Sequence, residues 1–348
     1  MPKLSVVIPC YNEEDCLVEL HQRVSAACSA CTDDYELVLV DDGSTDKTWQ
    51  MIEDVSKRDP HILGVSLSRN HGHQLALTAG LTMARGQRIL VIDADLQDPP
   101  ELLQGMMDTM DQGYDVVYGQ RRQRAGESVF KKSTASLFYR VLLRLSETPI
   151  PLDTGDFRLM SRRALDALLA MPEQHRFVRG MVSWIGFPQT ALPYDREERF
   201  AGTTKYPLKK MIRFAIDAIT GFSIQPLRFA SQIGLVLGGL GAFLVVYVVV
   251  AWLSGDTVAG WTSLMAVVVI LGSVQMFVLG VMGEYLGRLY MQAKQRPLFL
   301  IQEIASQSRV DTAQGSQLGF IATDIANREE QPAGLDQRQK QDGAQAVQ

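Results

Sequence analysis

Two uninterrupted apolar segments in the C-terminal third constrain the fold of this 348-residue chain more than any other feature. They run from about 233 to 253 and from about 262 to 283, and neither contains a charged residue. Each is about 20 residues long, which is the length of helix that crosses the apolar core of a bilayer. The short link between them carries one charge, Asp256. The pattern predicts a membrane-spanning helical hairpin rather than a helical pair buried in a soluble core.

Basic residues lie on both sides of the predicted hairpin, and they predict its orientation. They are Lys205, Lys209, Lys210, Arg213 and Arg228 before it, and Arg288, Lys294 and Arg296 after it. Because positive charge is retained on the cytoplasmic side, both flanks and the N-terminal domain are expected there. Segment 206–225 has apolar residues along one helical face and basic residues elsewhere. It predicts an interfacial amphipathic helix, and a helix packed on the domain is the alternative.

The N-terminal half alternates short β-branched runs with helical patterns. Strands are predicted at 4–9, 35–40, 62–67, 88–93 and 115–118, and helices at 13–30, 46–56, 74–84 and 100–112. This alternation is typical of an α/β domain with a doubly wound, mostly parallel sheet and helices on both faces. Ligands of such sheets bind beyond the carboxyl ends of the strands. The net charge of −5 argues against a general nucleic-acid-binding protein.

These patterns divide the chain into four parts. We predict a catalytic domain at 1–204, the interfacial segment at 205–228, the hairpin at 229–290 and a cytoplasmic tail at 291–348. The tail is rich in Gln, Ala, Gly and charged residues, and it is expected to be disordered after about 306.

Cys28 and Cys31 form a single CxxC pair. We interpret them as ordinary thiols rather than as a metal or redox site.

Two acidic residues end the predicted fourth strand. Asp93 and Asp95 are two residues apart and are followed by Gln97. Oxygen ligands in this arrangement suit Mg²⁺ or Mn²⁺ bound to a diphosphate. A single Asp-x-Asp pattern is a weak signal, because aspartates also cap helices and fill turns. The neighbouring Asp98 is expected to have only that structural role.

Two further polar clusters lie at predicted strand ends. In Asp41-Asp42-Gly43-Ser44, the Asp42 carboxylate is suited to accept a hydrogen bond from a base or ribose. A turn that caps the next helix is the alternative, and it would be favoured if the cluster stood alone. His71 and His73 are two residues apart and could ligate a metal. A loop between strand and helix is the favoured interpretation for these histidines.

Several motifs together resemble a known family. Pro9-x-Tyr11-Asn-Glu13, Asp41-Asp42-Gly-Ser and Asp93-Ala-Asp95 resemble the inverting GT-A glycosyltransferases of family 2. The segments 93–101, 154–159, 175–180 and 199–207 resemble the dolichol-phosphate mannose synthase branch. With its hairpin, the chain looks most like the bacterial bactoprenol glucosyltransferases, the GtrB group. The resemblance covers about 4 to 296.

This resemblance implies a GT-A fold and a defined reaction. A hexose, glucose by family expectation, passes from a nucleotide sugar such as UDP-glucose to undecaprenyl phosphate. The transfer inverts the sugar carbon, needs Mg²⁺ or Mn²⁺, and occurs at the cytoplasmic face of the bacterial inner membrane. The resemblance also implies a homotetramer. Small residues at Gly234, Gly238 and Gly241 would permit close helix contacts, either within the hairpin or between subunits.

The resemblance also implies roles for individual residues. The nucleoside would contact Pro9, Tyr11, Glu13 and Asp42; the metal and diphosphate would contact Asp93, Asp95 and Gln97; phosphates of the donor would contact Arg199 and Lys205; and the acceptor phosphate would contact Arg121 and Lys131. For the four basic residues, electrostatic anchoring at the membrane is the alternative. Asp156 occupies the position of the family's catalytic aspartate. Because a phosphate monoester is already largely anionic at pH 7, Asp156 is expected to position the sugar or stabilise charge rather than act as a base.

Other functions remain as alternatives. Gln225-Pro-Leu-Arg-Phe229 resembles the QxxRW signature of processive polysaccharide synthases, although two spans are too few to line a polymer channel within one chain. Aminoarabinose-type lipid-phosphate transferases share the architecture but lack a clear equivalent of segment 154–159. An inactive sugar-binding scaffold is disfavoured by the complete acidic set. A dehydrogenase is disfavoured because no G-x-G-x-x-G follows the first strand.

Overall fold

The structure is a computed structural model that describes residues 2–122, 154–195, 225–254 and 260–307. Lys131, Arg199, Lys205, the amphipathic segment up to residue 224 and the tail beyond 307 lie outside the described residues. The roles predicted for these residues, and the predicted division of the chain at 204 and 228, therefore stay predictions.

The described chain contains eight strands and eight α-helices. The strands are β1 (Leu4–Cys10), β2 (Tyr35–Asp41), β3 (Ile62–Leu67), β4 (Arg88–Val91), β5 (Val116–Arg121), β6 (Thr154–Ser161), β7 (Gln189–Tyr194) and β8 (Ile301–Ala305). The helices are α1 (Leu17–Cys31), α2 (Thr48–Ser56), α3 (His73–Met83), α4 (Leu103–Met110), α5 (Arg162–Leu169), α6 (Val178–Ile185), α7 (Gln225–Leu253) and α8 (Trp261–Ala293). A short 3₁₀ turn, Pro100–Leu102, precedes α4.

The eight strands form one mixed sheet in the order β7-β5-β6-β4-β1-β2-β3-β8. Strands β3, β2, β1 and β4 are parallel, as the sequence predicts. Beside them, β6 is antiparallel to both β4 and β5, so β5 does not continue the parallel series next to β4. The predicted α/β class with a mostly parallel sheet is confirmed. The sequence does not show the insertion of β6, because strand order depends on contacts between distant segments.

Helices cover both faces of the sheet. Val6 and Ile8 of β1 lie in one buried cluster with residues of α1, α2 and α4, while Val7 lies in a second with residues of α3, α5 and α6. This alternation follows from the two-residue period of a strand. Helix α3 packs closely on β1, since a Cβ on Gly80 would lie 2.4 Å from a methyl group of Val7.

The cysteines have no redox partner within this core. All four are free thiols, and only Cys31 is more than slightly exposed. Burial raises the pKa of Cys28 to about 12. A thiol with so high a pKa is poorly nucleophilic at neutral pH, which fits the interpretation of these residues as ordinary core thiols.

The two apolar segments form helices that are long and apolar enough to cross a membrane. Their most apolar windows have mean hydropathies of 2.6 and 1.9, and none of the residues in these windows is buried. Helix α8 continues ten residues beyond its predicted end, to Ala293. Its 33 residues correspond to about 50 Å, whereas the apolar core of a bilayer is about 30 Å thick. One end of α8 is therefore free to contact the catalytic domain outside the bilayer.

The chain returns from the hairpin to the sheet. Strand β8 pairs antiparallel with β3, and the amide of Ser68 donates to the carbonyl of Leu300 at 2.9 Å. On α8, the Gln292 side chain accepts from the Gln174 amide at 2.9 Å and donates to the carbonyl of Pro172 at 2.7 Å. Since β1–β7 precede the hairpin and β8 follows it, the hairpin is inserted between strands of one sheet, and the end of α8 is bound to the domain.

This topology predicts where introduced cysteines react. In a Cys31→Ser background, Ser254→Cys, next to the link between α7 and α8, should react with an impermeant maleimide from one face of sealed vesicles. Gln302→Cys, exposed on β8, should react only from the opposite face. Labelling of both positions from the same face would contradict the hairpin.

Candidate active site

The loops after β1 and β2 are joined by hydrogen bonds at the carboxyl edge of the sheet. Asn12, in a left-handed conformation with φ of 56°, receives a bond on its side-chain oxygen from the Thr45 amide at 2.8 Å. The Glu13 amide donates to the Thr48 hydroxyl at 2.9 Å. Pro9 is buried within β1, whereas the Tyr11 ring is 46% exposed. A rigid double loop with an exposed aromatic ring is therefore present where a nucleoside is expected.

Asp42 fixes the turn that leads into α3. Its two carboxylate oxygens accept from the amides of His71 at 2.7 Å and Gly72 at 2.9 Å. Burial raises the pKa of Asp42, although these two hydrogen bonds oppose the shift. Gly43 lies against the same turn with a φ of +67°, and a Cβ there would lie 2.7 Å from the backbone of Asn70. Asp42 thus has a structural contact in addition to the nucleoside contact predicted for it.

The acidic motif after β4 has one partly exposed face. Asp93, Asp95 and Gln97 are partly exposed and alternate with buried residues. The turn requires Leu96 in a left-handed conformation with φ of 54°. The Gln97 amide donates to Asp95 at 3.2 Å, which closes the turn. The three residues predicted to hold a metal therefore lie on the same open side of one loop.

Asp156 is enclosed by donors at the centre of the site. It lies on β6, and its side chain is 2% exposed. Arg179 binds one oxygen through Nε at 2.8 Å, while His73 and Gln74 bind the other at 3.0 and 3.1 Å. Burial alone would raise the pKa of Asp156, but the charge of Arg179 and the bonds from His73 and Arg179 hold it well below its usual range. Asp156 is a fixed anion and is poorly suited to accept a proton.

His73 connects Asp156 to the acidic motif. Its Nε2 lies 3.6 Å from Asp93 Oδ1, and ligand atoms of His73, Asp93 and Asp156 lie within 4.8 Å of one another. Asp93 Oδ1 is buried and has no hydrogen-bond partner among the described residues. Burial raises the pKa of Asp93 to about 6; the charge of His73 opposes this, and neighbouring aspartates add to it. A buried carboxylate oxygen that has no hydrogen bond and lies near further oxygen ligands fits a hard divalent cation.

Arg121 and Asp98 form a buried cluster behind the acidic motif. Arg121 donates to the Tyr194 hydroxyl at 3.3 Å and lies 3.6 Å from an Asp98 oxygen. The Tyr194 hydroxyl donates to the same oxygen. Asp98 is 1% exposed and contacts both Tyr194 and Arg121, whereas the sequence predicts only a cap or turn for it. The contact predicted between Arg121 and an acceptor phosphate stays a prediction, and 18% of its side chain is exposed.

The residues that surround Asp156 carry little signal in the sequence. The sequence favours a loop position for His73, but His73 begins α3 and contacts Asp156. No motif gives a role to Gln74, the next residue of that helix. Arg179 lies within the 175–180 segment that marks the family resemblance, and that segment was the available signal.

Comparison with known proteins identifies the family. The Glycosyl transferase family 2 model matches residues 5–169, and the GtrB C-terminal hairpin model matches residues 225–289. The uncharacterized glycosyltransferase YkcC of Bacillus subtilis is 46% identical over 86% of this chain and 93% of its own length. The prophage bactoprenol glucosyl transferase homolog of Escherichia coli K12 is 36% identical over 87% of this chain and 99% of its own. The chain therefore belongs to glycosyltransferase family 2, and it is a membrane-associated glycosyltransferase with a GtrB-type hairpin.

Among solved structures, Staphylococcus aureus TarS 1–349 aligns over 56% of this chain and 59% of its own, with 20% identity and a TM-score of 0.40.

The raised pKa of Asp93 predicts how cation binding depends on pH. A cation binds the ionised carboxylate, so affinity should rise as the pH increases through about 6. Mn²⁺ titrations followed by electron paramagnetic resonance should show binding about tenfold weaker at pH 5 than at pH 7. Asp93→Asn should bind weakly at both values. An affinity that is equal at pH 5 and pH 7 in the unaltered protein would contradict the role of Asp93.

Proposed function

We propose that this glycosyltransferase transfers a hexose, glucose, from UDP-glucose to undecaprenyl phosphate at the cytoplasmic face of the bacterial inner membrane. The observation that carries the proposal is that one sheet holds both the acidic motif and the strand that follows the hairpin. The acidic motif lies at its carboxyl edge, and the end of the hairpin helix α8 is bound to the same domain just before β8 joins the sheet. A water-soluble donor and a lipid acceptor can meet only at the boundary between the membrane and water. The relatives named bactoprenol glucosyl transferases support this acceptor.

The donor would lie across the strand ends. Pro9, Tyr11, Glu13 and Asp42 would hold the nucleoside at the rigid double loop. Asp93, Asp95 and Gln97 would hold Mg²⁺ or Mn²⁺ with the diphosphate, since their oxygens share the open face of one turn. The bound cation would neutralise charge on the leaving diphosphate. Arg199 and Lys205, outside the described residues, are proposed to contact donor phosphates.

The acceptor supplies its own nucleophile. A lipid monophosphate has a second pKa of about 6, so an anionic oxygen is available at pH 7 without a base. This oxygen would form a bond to the sugar C1 while the bond from C1 to the diphosphate oxygen breaks, which inverts C1. Arg121 and Lys131 are proposed to hold the acceptor phosphate.

Asp156 contributes a fixed negative charge to this step. Positive charge develops at C1 in the transition state, and a preorganised carboxylate nearby stabilises it without having to reorient. Arg179 and His73 keep the carboxylate ionised and stationary. Catalysis would then depend on the positions of the donor and acceptor and on electrostatics rather than on proton transfer.

Transfer of labelled sugar to lipid tests the proposal. Purified protein in detergent is incubated with Mg²⁺, undecaprenyl phosphate and each of a panel of radiolabelled UDP- and GDP-sugars. Label from UDP-glucose should enter the organic phase, and Asp95→Ala should lower the rate by at least about 100-fold, because the cation loses a ligand. A matched control is Asp108→Ala, on the exposed face of α4.

Each alternative has its own outcome in this assay. Lipid labelling from another donor would retain the acceptor and correct the sugar. Free sugar or water-soluble polymer without labelled lipid would contradict the lipid-phosphate acceptor and favour a polysaccharide synthase.

A further inference from the structure

The Gln74 side chain forms a bridge at the centre of the site, and its hydrogen bonds fix which end is the oxygen and which is the nitrogen. Its Oε1 accepts from the backbone amide of Val178 at 2.9 Å. Because a backbone amide can only donate, that atom must be the carbonyl oxygen of the side chain. The Nε2 group must therefore point the other way, where it donates to Asp156 Oδ2 at 3.1 Å. Both ends of the Gln74 side chain are thus occupied by partners of opposite character.

This bridge joins three elements that the sequence keeps far apart. Gln74 lies in the first turn of α3, Asp156 lies on β6, and Val178 is the first residue of α6. Arg179 follows Val178 directly and binds Asp156 through Nε at 2.8 Å and Nη2 at 3.3 Å. The Gln74 side chain therefore contacts both the Asp156 carboxylate and the backbone next to Arg179, which binds that carboxylate.

Gln74 differs from the other donors to Asp156 because it has a second partner in the backbone of α6. The side chains of Arg179 and His73 are 30% and 46% exposed. Arg179 binds both oxygens of Asp156 through its planar guanidinium, which restricts the orientation of the carboxylate. The two-ended amide bridge adds a constraint from the backbone of α6, because a rotation of Asp156 or a shift of α6 lengthens one of its hydrogen bonds.

We propose that Gln74 is a positioning residue for glycosyl transfer. It sets the orientation of the Asp156 carboxylate and the position of Arg179 relative to that carboxylate. The inference rests on the proposed function, in which Asp156 acts as a fixed charge beside the reacting carbon. Gln74 does not itself contact the sugar. It acts through Asp156, so its loss should affect the rate of the transfer step and not the binding of the donor nucleotide.

Gln74→Glu is the sharpest substitution. It keeps the length of the side chain and the oxygen that accepts from Val178. It replaces the donor at 3.1 Å from Asp156 with an oxygen, so that two acceptors face each other. Gln74→Met keeps the length and removes both hydrogen bonds without adding charge. The chain also offers a matched control in Gln104, whose amide donates to Asp108 at 2.7 Å on the exposed surface of α4.

The experiment measures kcat and the donor KM for lipid labelling by the full-length protein and its variants. We expect Gln74→Glu to lower kcat by about 100-fold, because displacement of a catalytic group by about 1 Å has effects of this size. The donor KM should change by less than about threefold. Gln104→Glu should retain the kcat of the unaltered protein. The kcat of Gln74→Met should lie between those of Gln74→Glu and Gln104→Glu.

A double variant separates positioning from general damage to the fold. If Gln74 and Arg179 act through the same carboxylate, Gln74→Glu with Arg179→Gln should lose little more than the worse single variant. Multiplied losses would overturn the proposal, as would an unchanged kcat in Gln74→Glu. A loss of the folded state in both Gln74 variants, seen as a lost thermal transition, would also overturn it by showing a purely structural role. If the unaltered protein labels no lipid, the proposed function fails, which is distinct from failure of the inference alone.

Discussion

The buried carboxylate of Asp156 and its donors determine the arrangement of the rest of the site. An ionised carboxylate removed from water is strongly destabilising unless charges and hydrogen bonds compensate for it. Arg179, His73 and Gln74 supply them, and they come from two helices on the same face of the sheet. The antiparallel strand β6 brings Asp156 beside β4, whose following loop carries the acidic motif. The position of this one charge therefore links the sheet order, the helix packing and the chemistry.

The hairpin is long and apolar enough to cross a membrane, and one of its ends contacts the catalytic domain. Helix α8 is longer than the apolar thickness of a bilayer, and its end is bound to the domain through Gln292. The chain then adds β8 to the edge of the sheet beside β3, whose following turn is held by Asp42. Helices α3 and α6 both carry donors to Asp156. The segment before α3 contacts Leu300 through Ser68, and the segment before α6 contacts Gln292 through Gln174. The domain is therefore joined to α8 by side-chain contacts as well as by the chain itself.

Much of the fold follows from local sequence patterns, whereas the centre of the site does not. The strands and helices up to residue 121, the two apolar helices and the shared face of Asp93, Asp95 and Gln97 are all visible as periodicity or spacing. The positions of β6 and β8 are not, because they depend on pairing between segments far apart in the chain. For the same reason no pattern relates Gln74 to Val178. Motif resemblance marks the segments of Asp156 and Arg179 but gives no role to Gln74.

The acceptor phosphate is expected to supply the ionised nucleophile while Asp156 remains a fixed anion. The dependence of kcat/KM for the acceptor on pH separates this arrangement from catalysis by an enzymatic base. It should be measured at saturating Mg²⁺ and donor, so that ionisation of Asp93 does not limit the rate, with undecaprenyl phosphate and with the corresponding phosphonate, whose second pKa is higher. The rise in rate near pH 6 should then move upward with the pKa of the acceptor. A rise at the same pH for both acceptors would show that an enzyme group accepts the proton, and it would rule out an acceptor that attacks as an already ionised phosphate.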